Sequence, residues 1–291
     1  MLCEDTFFET IAWGPDQRGE AVEKNSIEHI TMKRNLKIFW LLSIFSIKTT
    51  LQRRAGVISF FLGKILRFVF FFMFIYFLVS RSKLLAGYSL SQTLVFFLTF
   101  NFIDTMAQLL FREVYRFRPM VISGEFDSIL IKPFHPFLKI LIGGIDIIDF
   151  ITIIPYFLLL IYFIAKIPHL NFFNIILYMG FVINGLCIAT SFHILVLAVA
   201  IFTAEIDHAL MIYRDLTRML ALPIDIYKEP IRSFLMFVVP VGIMIALPVK
   251  VLFGLLSINV LLLSGMISLL FIIFSLWLWS LALKKYQSVG S

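Results

Sequence analysis

Long apolar runs separated by short polar or basic breaks fill most of the chain. Runs near 57–79, 90–110, 140–164, 173–202, 233–253 and 258–280 each hold about 20 or more residues. At a rise of about 1.5 Å per residue, each is long enough to cross a hydrocarbon core about 30 Å thick. The pattern predicts an all-α polytopic membrane protein with six transmembrane helices. Its connections alternate between short (80–89 and 165–172) and long (111–139 and 203–232). Ahead of the first run, Ile38, Leu41, Leu42, Phe45 and Leu51 recur at helical spacing among basic residues. Segment 33–54 therefore reads as an amphipathic helix lying in the membrane interface. Together, 33–285 read as one transmembrane domain, and 286–291 as a short tail.

Residues 1–32 differ in kind, with seven acids against Arg18 and Lys24 and neither the basic start nor the apolar stretch of a signal peptide. They read either as an acidic, disordered tail or as the stretch upstream of a start at Met32. The two long connections leave another choice open. Segment 204–222 is amphipathic but carries His208, Arg214, Asp215 and Arg218, which make a free span costly at about 3 kcal/mol per central charge. It is expected as an interfacial helix or the start of the fifth helix. Alternatively, 209–224 enters the membrane against other helices, and Pro240 and Pro248 break 231–250 into re-entrant halves.

Composition narrows the class. Hydrophobic residues make up 60% and charged residues 15% of the chain, whereas soluble domains run nearer 45–50% and about 25%. An ordinary soluble enzyme is excluded. Cys3 and Cys187 allow no disulfide framework and no zinc spacing. The net charge of +7 does not point to nucleic acid, because the basic residues gather between apolar runs rather than along an aromatic-laced stripe. They favour one side. Lys33, Arg34, Lys37, Lys48, Arg53 and Arg54 precede the first run, and Arg112, Arg116, Arg118, Lys132 and Lys139 follow the second. Arg214, Arg218, Lys228 and Arg232 follow the fourth and Lys284 and Lys285 the last, while the other side has Arg81, Lys83, Lys166 and Lys250. The positive-inside rule then places both termini in the cytoplasm. Trp277 and Trp279 beside Lys284 and Lys285 read as an anchor at the membrane surface.

A few charges fall inside the runs. Counted at 1.5 Å per residue from the cytoplasmic end, Lys64 and Arg67 lie about 10 and 15 Å deep, Asp104 and Asp146 about 9 Å, and Asp149 and His193 about 14 Å. An unpaired charge at such depth is expensive. Two readings follow: Lys64 and Arg67 pair with some of Asp104, Asp146 and Asp149, or they snorkel to the surface and the acids line a wet vestibule. His193 reads as a satisfied polar residue between helices, and Asn101, Asn184 and Ser191 as interhelical hydrogen-bonding groups.

The connection FREVYRFRPMVISGEFDSILIKPFHPFLKIL has a helical approach, a break at Pro119 and a Ser123-Gly124-Glu125 start. Phe126, Ile129, Leu130 and Ile131 then give a short helix an apolar face before Pro133 and Pro136. Such a helix between two spans is shaped to lie in a partner's groove. In the Arg-rich approach, in Ser123-Gly124-Glu125-Phe126-Asp127, in Leu130-Ile131-Lys132-Pro133 and in LALPIDIYKEPIRSFLMFVVPVGIMIALP at 220–248, the chain resembles the ABC-2 type transporter permeases. The likeness runs over roughly 33–285, within the branch of short six-span bacterial permeases.

The resemblance implies that Ser123, Gly124, Glu125, Phe126, Asp127, Leu130, Lys132 and Pro133 form a coupling helix seated on an ABC ATPase subunit. It implies a second permease copy or a paralogous permease as a further partner, among membrane lipids. The expected function is the permease subunit of an ABC exporter in the cytoplasmic membrane. No ATPase site of its own is expected, because Gly63-Lys64 lacks the upstream glycine of a phosphate loop. No cofactor is expected, since ATP is used by the partner. Two other classes compete: an ATP-independent carrier or lipid scramblase using the buried charges, and a membrane-embedded enzyme using Asp146, Asp149 and His193.

Overall fold

The computed structural model describes residues 17–52, 54–132, 134–168, 170–203 and 207–286, with side chains from Arg34 onward except Arg54. Its helices, in chain order, are α1 (Gln17–Gln52), α2 (Arg54–Ser82), α3 (Leu90–Phe111), α4 (Phe117–Ile122), α5 (Glu125–Leu130) and α6 (Ile147–Ala165). After these come α7 (Phe172–Thr203), α8 (Asp207–Met219), α9 (Ile231–Val238), α10 (Val241–Leu252) and α11 (Ile258–Lys285). Five helices are long and apolar enough to cross a membrane, and α9 with α10 makes a sixth only as a pair bent by 97°. The chain is a multi-pass membrane protein. Helix α1 starts at Gln17, inside the segment expected as a tail, while residues 1–16 and 287–291 lie outside the described residues.

The core sits where α3, α7 and α10 meet. Phe96, Leu98 and Ile103 of α3, Ile188 and Leu197 of α7 and every residue of α10 are buried. Helices α2 and α11 instead expose apolar faces, with Phe70, Phe74, Leu262 and Leu269 among the outward residues. Hydrocarbon accepts such faces, so they need no protein cover. Small residues let helices approach closely in a bilayer. At Gly185 a Cβ would lie 2.4 Å from the Met244 carbonyl oxygen, so α7 and α10 touch backbone to backbone there. Thr99 and Tyr178 share a buried hydrogen bond of 3.0 Å between α3 and α7. The amide of Asn101 and the hydroxyl of Ser191 turn back to the Phe97 and Cys187 carbonyls of their own helices.

Two runs differ from the expected spans. The third begins at Ile147 rather than near 140, because Leu138–Ile142 forms a π turn and Gly143 takes φ +60°. A Cβ on Gly144 would lie 2.8 Å from the Leu42 backbone, so this break is where α1 lies against the bundle. The Ile145 amide donates to Ser43 there, at 3.2 Å. Hydropathy runs smoothly through the glycine pair and hides it. The fifth run, 233–253, is a hairpin rather than one span. Pro240 lacks the amide that would continue the helix, and the chain turns back at Val239–Pro240, whereas Pro248 stays inside α10.

The hairpin enters and leaves from one end of the bundle. Asp207, at the start of α8, meets Arg118 at 3.1 Å beside α4. Asp225, just after α8, accepts from the Tyr88 hydroxyl at 2.9 Å in the α2–α3 turn, at the opposite end. Residues 207–225 therefore carry the chain between the two ends, as in the re-entrant alternative. Asp225 also holds both limbs of the hairpin, with Arg232 at 2.9 Å and Lys250 at 2.8 Å. Burial raises the pKa of its carboxyl, but the Lys250 hydrogen bond and charge, the Tyr88 hydroxyl and Arg232 outweigh that and leave it below the ordinary carboxylate value.

Substituting Gly185→Ala should force α7 from α10 and lower the thermal unfolding temperature in detergent by several degrees. Asp225→Asn should cost about 1–3 kcal/mol of stability. Because the folded carboxyl titrates below its unfolded value, the contribution of Asp225 is present above the ordinary carboxylate pKa and fades as pH falls through the lowered one. Unfolding midpoints against pH should show this for the wild type and lose it in Asp225→Asn.

Candidate functional site

The turn between α4 and α5 stands at the end of the bundle where α11 finishes. Gly124 links the helices with φ +73°, a left-handed conformation that a Cβ would strain. The Glu125 amide donates to the Ser123 hydroxyl at 3.4 Å, and Glu125 and Asp127 occupy the first turn of α5, where the helix dipole favours acids. The expected apolar face is split in two. Phe126 and Ile129 point inward, while Leu130, Ile131 and Lys132 are exposed, Ile131 at 86%. Pro133 lies outside the described residues.

Phe126 is fully buried. Its ring lies 5.0 Å from Phe117, 5.0 Å from Tyr286 and 6.5 Å from Trp279. Trp279, expected as a surface anchor, is buried against this turn and lies 5.0 Å from Phe137, while Trp277 remains exposed. Burial and the neighbouring Asp127 carboxylate push the Tyr286 phenol up to about 12. The α4–α5 turn and the end of α11 thus share one aromatic cluster.

The buried charges form a second constellation. Asp146 caps α6, accepting from the Ile148 and Asp149 amides at 2.8 and 3.4 Å, so it sits at the helix start rather than a third of the way along. Lys64 of α2 pairs with Asp149, which is fully buried. Arg112 reaches both acids, at 3.5 Å from Asp146 and 3.6 Å from Asp149, and the Phe60 ring lies 5.4 Å from its guanidinium. Sequence reasoning missed Arg112 by counting it only as a flanking charge. The available signal was its position one residue past α3, level with the start of α6.

Arg67 does not join this pair. It faces Asp104, which accepts from Gln108 at 2.7 Å, across a cavity of about 320 Å³ that also receives Arg214 and Arg218 from α8. His193 stands apart from both groups. Its Nδ1 lies 2.7 Å from the Ala189 carbonyl, and its ring is enclosed by Phe111, Tyr115 and Tyr213. Asp146, Asp149 and His193 are therefore not assembled into one metal or catalytic site.

Residues 38–290 match a family model described as ABC-2 family transporter protein. The chain belongs to that family. No curated protein and no solved structure gives a significant match. This ABC-2 family member is a permease component of an ABC transporter, and the family implies an ABC ATPase subunit as its partner.

Breaking one partner of a buried pair strands a charge. Lys64→Met or Asp149→Leu alone should destabilise the protein by about 3–5 kcal/mol, with the double variant costing clearly less than the sum. Chemical unfolding in detergent would measure the coupling. The reversed pair Arg67→Glu with Asp149→Arg should show no such recovery.

Proposed function

We propose that the chain is the transmembrane subunit of an exporter in the cytoplasmic membrane, driven by ATP hydrolysis on a separate subunit that docks on the α4–α5 turn. The observation that carries this reading is the division of labour across the α4–α5 turn: Ile122 at the end of α4 and Ile131 just past α5 face outward, at 58% and 86% exposure, while Phe126 of α5 is locked into the end of α11. A partner gripping the outer face would push on a rigid aromatic joint and so on the last helix. Glu125 and Asp127 offer the partner a negative rim. The bias of Lys and Arg toward this end, which survives although Arg232, expected here, stands with Lys250 at the opposite end, supports a cytoplasmic location for both termini.

One copy supplies a single bundle, and we place a second permease, identical or paralogous, beside it on two ATPase subunits. Closure of those subunits on ATP would move α5 and α11 together and rock the bundle between inward- and outward-open states. The chain's own part is docking, force transmission and the substrate path.

Affinity purification from native membranes should bring down ATPase activity with the wild-type chain. Glu125→Lys combined with Ile131→Asp should reduce it at least tenfold. Phe126→Ala should keep the subunit bound but abolish transport, since the joint rather than the docking face is lost. An undiminished complex and full transport in the first variant would overturn the assigned docking site. Transport in proteoliposomes without any ATPase would overturn the ATP-driven reading in favour of a carrier or scramblase.

A further inference from the structure

The cavity between α2, α3 and α8 does not end at Asp104. A space of about 260 Å³ shares Lys64, Arg67, Gln108 and Arg214 with it. Another of about 280 Å³ shares Gln108 and Arg214 and adds Arg112, Arg116 and Tyr115. Together they make one cleft, from the middle of α2 toward the end that carries the α4–α5 turn. Its charge is one-sided. Among the described residues, Asp104 is the one acid lining these three spaces.

Several of the cations are already engaged. Lys64 is held by Asp149, Arg112 by Asp146 and Asp149, Arg116 by Glu113 and Arg218 by Asp215. Arg67 and Arg214 have no ion pair among the described residues; both act on Asp104 through space. Two guanidinium groups thus face one carboxylate, and a cation held at this depth is costly without a counter-charge. The walls are apolar and aromatic, with Phe68 and Phe71 on α2 and Phe97 and Phe100 on α3. The Phe68 and Phe97 rings stack at 5.4 Å.

We propose that this cleft binds an amphiphile with a phosphate-type anionic headgroup, held by Arg67 and Arg214, and an apolar tail lying along the phenylalanine wall. The planar fork of arginine matches the oxygens of a phosphate two at a time. A small inorganic anion would leave the aromatic wall unused, and a cationic amphiphile would meet two like charges. The inference rests on the permease reading and names the substrate class for its interior.

The test uses the full chain in phosphatidylcholine nanodiscs, with binding followed by thermophoresis. Four probes are compared: dioctanoyl phosphatidate, dioctanoylglycerol, inorganic phosphate and dodecyltrimethylammonium. Phosphatidate should bind saturably and at least tenfold tighter than the other three. Arg67→Gln with Arg214→Gln should weaken it at least tenfold, while Asp104→Asn should tighten it severalfold. Equal binding of the neutral or cationic probe overturns the proposal. So does inorganic phosphate that matches phosphatidate, since the site would then take a bare anion. Unchanged affinity in a folded double-Gln variant overturns it as well. If that variant unfolds, the opposite-sign effect of Asp104→Asn decides, and weaker or unchanged binding there counts against the site. Loss of ATPase co-purification with phosphatidate binding intact would count against the permease reading alone. The converse result would count against the cleft alone.

Discussion

A charge inside a bilayer has no water to fall back on, and the arrangement of this bundle follows from that constraint. Asp149 is fully buried, and Lys64 from α2 and Arg112 at the end of α3 converge on it and on Asp146. Three helices are thereby tied at one level, although α2 otherwise contributes little to the core. The same requirement acts at the far end, where Asp225 gathers Tyr88, Arg232 and Lys250 and so closes the re-entrant hairpin. Arg67 and Arg214 are the exceptions, with no ion pair among the described residues beside the cavity they share with Asp104.

The hairpin explains how a chain with a charged, thirteen-residue α8 still builds a bundle that spans. Helix α8 turns Leu210, Tyr213 and Thr217 inward and presents Arg214 and Arg218 to the cleft. Asp215, paired with Arg218, stays exposed on its outer side. Helix α10, buried on all sides, fills the core beside α7, and Gly185 lets the two backbones meet. At the opposite end, Phe126 joins the exposed α4–α5 turn to Trp279 of the last helix and to Tyr286 just past it.

Much of this was legible along the chain. Helices α2, α3, α7 and α11 follow the apolar runs closely, because length and hydropathy decide membrane crossing independently of neighbours. The Ser123-Gly124-Glu125 start was readable from capping and glycine chemistry. The break at Gly143-Gly144 was not, since those residues are as apolar as their surroundings and their role is the close approach of α1. Nor was the inward turn of Phe126 and Trp279, which depends on two segments more than a hundred residues apart meeting at one corner. The depth count set Arg67 level with Asp149, yet Lys64 is the residue that holds Asp149, because depth fixes height and not azimuth.

By itself the sequence determined that this is an all-α membrane protein with a long polar connection after its second apolar run, since hydrophobic run length and turn chemistry are local properties that no partner can change. The tertiary structure decided which charges neutralise each other, that 231–252 turns back instead of crossing, and that two arginines are left facing an aromatic cleft. Those outcomes depend on how helices are rotated and which faces meet, and that information resides in packing between distant segments.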